Sequence, residues 1–325
     1  MNKLKILIGP AGSGKSTYSN KIKDKNTIML SSDEIRKEFF NDLNHQDKAS
    51  HVKVFDLMNK RLKQILKEED NKIIIYDATN LSRKRRANLY NMTKSININN
   101  KVEAVIFFTS LNELIFRNAT REHEKQVPEK IILNMYKSTQ TPQISFDCDN
   151  IKCIGEKWFV ENANLKNVKT VKDVTLLISP QYGNIENELF LNYTNHDTPY
   201  HIESVDEHIA WTIENANTEF LKTVAIFHDL GKGLNKIYDN EKQKATYRGH
   251  EMLSAFYLLN YLYSTNQLTN ENLEMVYTVA YHMLRREKMR KNKLNQMMTS
   301  QNLIDQLNAF NKIDNKSRKV NFEGI

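Results

Sequence analysis

Gly9-Pro10-Ala11-Gly12-Ser13-Gly14-Lys15-Ser16-Thr17 decides the first half of the chain. The first eight of these residues fill the pattern G-x-x-x-x-G-K-[ST]. They stand between an apolar run of strand character, residues 4–8, and a helix-compatible run, residues 18–25. A strand, a glycine-rich turn and a helix in that order cradle phosphate. The glycines let successive backbone N–H groups point at one anion, and the helix N-terminus adds its partial positive charge. Gly9, Gly12, Ser13, Gly14, Lys15, Ser16 and Thr17 are therefore the candidate nucleotide-binding residues. Lys15 is expected to contact the terminal phosphates of ATP or another nucleoside triphosphate, and Ser16 to hold Mg²⁺ through its hydroxyl.

Working outward, residues 26–30 form a short apolar segment that runs into Ser31-Ser32-Asp33-Glu34-Ile35-Arg36, a helix-start signal. Asp33 suits a position near the N-cap. At the end of a second strand it would also face the γ-phosphate and accept the proton of an attacking hydroxyl. Arg36, one helical turn on, is the candidate contact to an acceptor phosphate. Residues 50–69 read as an amphipathic helix whose core face is Val54, Leu57, Met58, Leu62, Ile65 and Leu66. Residues 72–77 read as a buried strand ending in Asp77, a second carboxylate suited to organising Mg²⁺. The basic cluster Ser82-Arg83-Lys84-Arg85-Arg86 is either a solvated helix face or a contact to substrate phosphate.

Residues 102–108 are another strand candidate. The helix after it is expected to carry Arg117 and Arg121, four residues apart on one face, where two guanidinium groups can clamp a triphosphate. Val127-Pro128-Glu129 opens a further helix, and residues 151–154 end the half as a short strand. Strands alternating with helices predict an α/β domain with a parallel sheet covered on both faces.

Taken together, residues 4–155 resemble the kinase domain of the phage-type polynucleotide 5′-kinases. The resemblance runs through the phosphate loop, Ser32-Asp33-Glu34-Ile35-Arg36, Asp77-Ala78-Thr79-Asn80, Arg85-Arg86, Arg117-Asn118-Ala119-Thr120-Arg121, Val127-Pro128 and Met135-Tyr136. It implies Asp33 as general base, Arg36 on the acceptor phosphate, and Arg117 and Arg121 on the nucleotide phosphates. Ser32 departs from the pattern, since a basic residue is familiar there.

The segment 156–195 carries apolar pieces, Trp158-Phe159-Val160 and residues 174–178, but no motif with a chemical role. Beyond it, six of the nine histidines fall between His196 and His282. The landmarks are Tyr200-His201, His208, His228-Asp229-Leu230-Gly231-Lys232, Gly249-His250-Glu251, His282 and Asp314. Residues 203–216, 218–230, 252–263 and 272–284 have helical periodicity, so this half reads all-α. Imidazoles and carboxylates ligate divalent cations. A first metal held by His208, His228, Asp229 and Asp314 and a second held by His250 and His282, with Asp229 shared, would suit phosphoester hydrolysis. Lys232 would offset charge on the substrate phosphate. Residues 196–320 resemble the HD phosphohydrolase superfamily. The resemblance implies a helical domain binding a transition metal such as Mn²⁺, Ni²⁺ or Co²⁺, with Asp314 preferred over Asp305 as the last ligand.

The expected organisation is thus a P-loop kinase-like domain over 1–155, a connecting segment over 156–195 and an HD domain over 196–325. A net charge of +8 and a pI near 9.1 suggest an anionic partner such as nucleic acid. The run Arg285-Arg286-Glu287-Lys288-Met289-Arg290-Lys291 is either a track for its backbone or a solvated helix end. Cys148 and Cys153 suit free thiols in a reducing cytoplasm, no signal peptide is expected ahead of the first strand, and no apolar run reaches membrane-spanning length. The combination reads as an end-healing enzyme. It would phosphorylate a 5′-hydroxyl on RNA or DNA and remove a 2′,3′-cyclic, 2′- or 3′-phosphate, leaving ends a nucleic-acid ligase could seal. Two alternatives fit the same motifs: a small-molecule or nucleoside kinase joined to a nucleotidase, and a nucleotide-sensing protein.

Overall fold

The computed structural model describes residues 1–40, 48–183, 185, 188, 195–199, 201–284 and 289–318. The chain divides into two compact units, Met1–Glu156 and Lys157–Ile325.

In the first unit, five parallel strands, β1 (Lys3–Ile8), β2 (Thr27–Ser31), β3 (Ile73–Asp77), β4 (Lys101–Phe108) and β5 (Asn150–Gly155), lie in the order β2-β3-β1-β4-β5. The sheet is apolar on both faces. Leu7, Ile75, Val105 and Phe107 pack on one side with Tyr18 and Ile22, and Ile6, Ile8, Ile74, Tyr76 and Ile106 are fully buried as well. Burial of alternate residues on both faces is what a parallel sheet sandwiched by helices requires. The helices are α1 (Lys15–Ile22), α2 (Ser32–Phe40), α3 (Lys48–Glu68), α4 (Arg83–Ile96), α5 (Leu111–Ala119) and α6 (Glu129–Lys137). On α3 the core stripe is Val54, Met58, Leu62 and Leu66, while Leu57 and Ile65 sit half-buried at its margins. Strand order reverses beside β1, and Ser31 pairs in register with Asp77, so the ends of β1, β2 and β3 open on one crevice.

The second unit is mainly helical. Its described helices are α7 (Val171–Thr175), α8 (Val205–Asn215), α9 (Glu219–Phe227), α10 (Lys232–Asn235), α11 (His250–Ser264), α12 (Asn270–Tyr281), α13 (Lys291–Met297) and α14 (Gln301–Lys316). Helix α11 is buried along most of its length, and Trp158 and Phe159 pack edge-on to its Phe256, Tyr257 and Tyr261. The Trp158 amide donates to Asn260 Oδ1 and the Phe159 amide to Ser264 Oγ. Residues that carried no motif in the sequence thus fill the core of this unit.

The all-α expectation needs one correction. Strands β6 (Ile237–Asp239) and β7 (Lys244–Thr246) form an antiparallel hairpin. Its strands are three residues long, too short to display an alternating pattern, so no strand signal is visible there. The hairpin has a structural task. The Ala245 amide donates to the Asp197 carbonyl, Lys236 pairs with Asp197 at 2.8 Å, and the Tyr247 hydroxyl donates to the His196 carbonyl at 2.6 Å. Together these contacts fix the segment that carries His196.

Candidate active sites

The phosphate loop leaves β1 at Gly9 and closes at Gly14, the N-cap of α1. Gly12 and Gly14 adopt φ of +83° and +91°, which L side chains resist, so glycine is required at both. Lys15 is buried and folded onto the loop, donating to the carbonyls of Gly9 (2.9 Å) and Pro10 (2.7 Å) and to Ser13 Oγ (3.3 Å). Burial lowers its pKa to about 8, against the raising effect of Asp77 and Asp33. Ser16 Oγ donates to Asp77 Oδ2 at 3.4 Å, and burial raises the Asp77 pKa against the opposing charge of Lys15. A hydroxyl and a carboxylate on one side of a phosphate cradle fit the oxygen-donor set of Mg²⁺.

Asp33 lies in the first turn of α2, but the side chain that accepts there is Ser31 Oγ, from the Glu34 amide at 3.4 Å. Asp33 is therefore not the cap. Its side chain stays two-thirds exposed and pairs with buried Arg36 Nη1 at 2.8 Å. Arg117, on α5, pairs with Glu113 at 2.7 Å, and its Nη1 lies 3.8 Å from where a Cβ on Gly14 would stand. Arg121 does not share that helix. Helix α5 stops at Ala119, Thr120 caps it, and the Arg121 amide turns back to the Asn118 carbonyl. Its charge nevertheless reaches Lys15, so both arginines attend the loop. The buried Asn118 amide group exchanges hydrogen bonds with the Val127 backbone at 2.8 and 2.9 Å, pinning the turn between α5 and α6.

The basic cluster at the start of α4 splits in two. Arg83 and Arg86 are buried, and Arg86 spends its donors on Asp147 and on the carbonyls of Asn80, Leu81, Gln140 and Thr141. Neither a solvated face nor a substrate contact describes these two. Lys84 and Arg85 are exposed.

In the second unit, His208 (α8), His228 and Asp229 (after α9), His250 (α11), His282 (after α12) and Asp314 (α14) converge, and all are buried. Asp229 turns Oδ2 towards His228 Nε2 (3.2 Å) and His208 Nε2 (3.7 Å), and Oδ1 towards His250 Nε2 (3.1 Å) and His282 Nε2 (3.7 Å). Asp314 Oδ1 lies 2.9 Å from His208 Nε2. Competing Asp305 is exposed and bonded to Gln301.

Each ring has its Nδ1 against a backbone carbonyl: Ser317 for His208, Ala225 for His228, Tyr247 for His250 and Val279 for His282. A carbonyl only accepts, so Nδ1 carries a proton, and in the neutral tautomer the Nε2 lone pair points inward. Those lone pairs face each other at 3.3 Å in both His208–His228 and His250–His282. The groups His208–His228–Asp229 and Asp229–His250–His282, with one carboxylate common to both, could each hold a metal ion. Burial lowers the His228 pKa, whereas contact with Asp229 raises that of His282 against its burial. Asp229 itself is held well below the usual carboxylate range, against its own burial, by the surrounding imidazoles and Lys232.

Beside this cluster, Lys232 Nζ lies 2.6 Å from Asp229 Oδ2 and 3.0 Å from His196 Nε2. His196 stacks on His201 at 4.0 Å, and His201 Nδ1 contacts Glu203 Oε1 at 2.6 Å. Burial, reinforced by the Lys232 charge, lowers the pKa of both rings to about 3. The cation of this corner is the lysine ammonium.

Residues 4–142 match the AAA domain family. That AAA domain match takes in the phosphate loop, Asp33, Asp77, Arg117 and Arg121, and ends before the second unit. No curated sequence matches the chain significantly. Similar solved structures include a chain of the Pnkp1/Rnl/Hen1 complex, 23% identical with a TM-score of 0.32, covering 38% of this chain and 40% of that one. A chain of the Pnkp1/Rnl/Hen1 RNA repair complex is 21% identical with a TM-score of 0.36, covering 42% and 44%. A fungal RNA kinase is 13% identical with a TM-score of 0.31, covering 69% and 95%. The chain spans less than half the length of the first two. The first unit, outside these likenesses, has the parallel five-stranded sheet and phosphate loop of a P-loop kinase-like α/β fold.

The sequence assigned no role to His196, Glu203 or Arg318. Arg318 pairs with Asp314 Oδ2, and its Nε is buried without a hydrogen-bond partner. A basic residue four positions after Asp314 was the available signal. Of the basic run 285–291, residues 285–288 lie outside the described residues, as does Tyr200. Among the described residues, no helix is long and apolar enough to cross a membrane.

Proposed function

We propose that the chain is a two-site nucleic-acid end-healing enzyme, with an NTP-dependent 5′-hydroxyl kinase in the first unit and an HD-type phosphohydrolase in the second. One observation carries the reading. A single chain holds an exposed carboxylate, Asp33, charge-coupled to the phosphate-loop lysine, and a buried carboxylate, Asp229, shared between two histidine pairs.

At the first site, the backbone of residues 9–17 and Lys15 bind the triphosphate, and Arg117 and Arg121 neutralise charge on the phosphoryl group as it moves. Asp33 takes the proton of the acceptor hydroxyl, and Arg36 holds the acceptor's phosphate. At the second site, Lys232 and Arg318 bind the phosphate of a 2′,3′-cyclic, 2′- or 3′-phosphate end, beside His208, His228, Asp229, His250, His282 and Asp314. When bound, Mg²⁺ at Ser16 and Asp77 would screen the triphosphate, and a transition-metal pair at the histidine cluster would supply an activated water and polarise the phosphate oxygens.

The test uses an RNA oligonucleotide with a 5′-hydroxyl and a 2′,3′-cyclic phosphate, incubated with ATP, Mg²⁺ and Mn²⁺, Ni²⁺ or Co²⁺. Wild type runs beside Lys15→Ala and Asp229→Ala, with both ends followed by gel and mass spectrometry. The expected result is a 5′-phosphate lost only in Lys15→Ala and 3′-end processing lost only in Asp229→Ala. Unchanged ends together with hydrolysis of free nucleotides would overturn the reading in favour of small-molecule metabolism.

A further inference from the structure

Close to the candidate acceptor site lies a set of flat groups that the kinase chemistry leaves unused. His51 and Phe55 stand one turn apart on α3, with ring centroids 5.2 Å apart and planes within 12° of parallel. The exposed Arg85, from α4, holds its guanidinium carbon 4.3 Å from the Phe55 centroid. Both His51 and Phe55 are only half-buried. Arg36 joins this group to the reacting end of the site. It is 5% exposed, it pairs with Asp33 through Nη1, and its Nε is buried with no hydrogen-bond partner. Helices α2 and α4, which carry Arg36 and Arg85, both pack on α3. After burial, the charges of Arg36 and then Arg85 hold the His51 pKa below its ordinary value, which favours the neutral ring.

We propose that His51, Phe55 and Arg85 form a stacking platform for a nucleobase of a single-stranded acceptor, whose adjoining backbone phosphate is taken by Arg36. The proposal rests on the kinase reading of the first unit and adds the shape of its acceptor. Stacked π faces bordered by two cations recognise a flat aromatic ring tied to an anion, which is the chemistry of a nucleotide in a single strand. An acidic peptide would use the two guanidinium groups and leave the stacked rings idle. A duplex end would keep its bases paired within its own stack. Stacking reads any base, so the platform gives affinity for unpaired ends with little sequence preference.

The test places 2-aminopurine at the first, second or third position of a 5′-hydroxyl single strand and follows its fluorescence on binding to the full chain, separately from phosphoryl transfer. Wild type is expected to quench the probe at one of these positions. In Arg85→Ala and His51→Ala the quench is lost and the strand binds about 5- to 100-fold more weakly. ATP affinity and the melting curve stay unchanged. Arg85 is exposed, so its removal does not threaten the fold, and Phe55→Leu, which keeps apolar volume without a ring face, is expected to behave like Arg85→Ala. A wild type that quenches at none of the three positions, or variants that quench as wild type does, would overturn the platform. A persistent quench without any 5′-phosphorylation would keep the platform and remove the kinase reading instead.

Discussion

Lys232 Nζ lies 2.6 Å from Asp229 Oδ2, the same carboxylate oxygen that faces His228 at 3.2 Å. An ammonium so close to a bridging carboxylate has two separable effects: it helps keep Asp229 ionised, and it presents positive charge to a phosphate arriving at the cluster. Lys232 is not one of the six candidate ligands, so the cluster keeps its donor set without the lysine. Under the proposed phosphohydrolase reading, Lys232→Met is expected to lower turnover by about a hundredfold, the scale of one lost charge-stabilising donor, with metal content unchanged. Asp229→Ala is expected to lose both activity and bound metal. Elemental analysis beside steady-state kinetics separates the two, and equal metal loss in both variants would refute the division.

Metal removal is expected to destabilise the second unit. Four imidazole lone pairs and two carboxylates are buried at one point, and without cations the opposed pairs at 3.3 Å repel. A ligand that binds only the folded state adds about 4 kcal/mol of stability when present at a thousand times its Kd. Chelation should therefore shift the unfolding of the second unit to lower temperature, and Mn²⁺, Ni²⁺ or Co²⁺ should restore it. Calorimetry with and without chelator checks this, and superimposable traces would exclude metals from the cluster.

The two sites were legible in the sequence to different depths. The phosphate loop could be read outright, because its spacing states a backbone requirement that Gly12 and Gly14 meet with positive φ. The histidine cluster was legible as a set of residues, since six of the nine histidines crowd one stretch around His228-Asp229-Leu230-Gly231-Lys232. What could not be read was any role created by distant contacts. His196 looks like background until the β6–β7 hairpin brings it to Lys232, and a three-residue strand carries no periodicity. Arg121 looked helical because four-residue spacing says nothing of where a helix stops.

Nucleotide binding is expected to take up a proton at alkaline pH. Burial lowers the Lys15 pKa to about 8 in the nucleotide-free loop, and a bound triphosphate would raise it again. Below pH 8 the lysine is charged in both states, so affinity does not depend on its titration. Above pH 8 the free protein has lost the proton and must recover it on binding. Affinity therefore falls as pH rises, by up to tenfold per unit, until the pKa of the complex is passed. Titration calorimetry at pH 8.5 in buffers of different ionisation enthalpy measures the uptake directly. Lys15→Met should abolish it, and uptake that persists in that variant would assign the proton elsewhere.

Arg85 and Arg86 are neighbours in a single basic run, yet their removal should have very unequal consequences. Arg86 is fully buried, its Nε donates to Asp147 Oδ2 at 2.9 Å, and its Nη atoms donate to four backbone carbonyls. The Asp147 carboxylate also accepts from the Gln143 amide at 2.6 Å. Arg86→Ala leaves that carboxylate and those carbonyls buried without their donor, a change that costs about 3–5 kcal/mol. Arg86→Lys cannot reproduce the fork and should recover little of the loss. Arg85→Ala removes one exposed cation over Phe55 and should cost less than about 1 kcal/mol. Denaturant unfolding of the three variants decides the matter. Equal stability of Arg85→Ala and Arg86→Ala would mean that the buried network does not hold the end of β3 and the start of α4 in place.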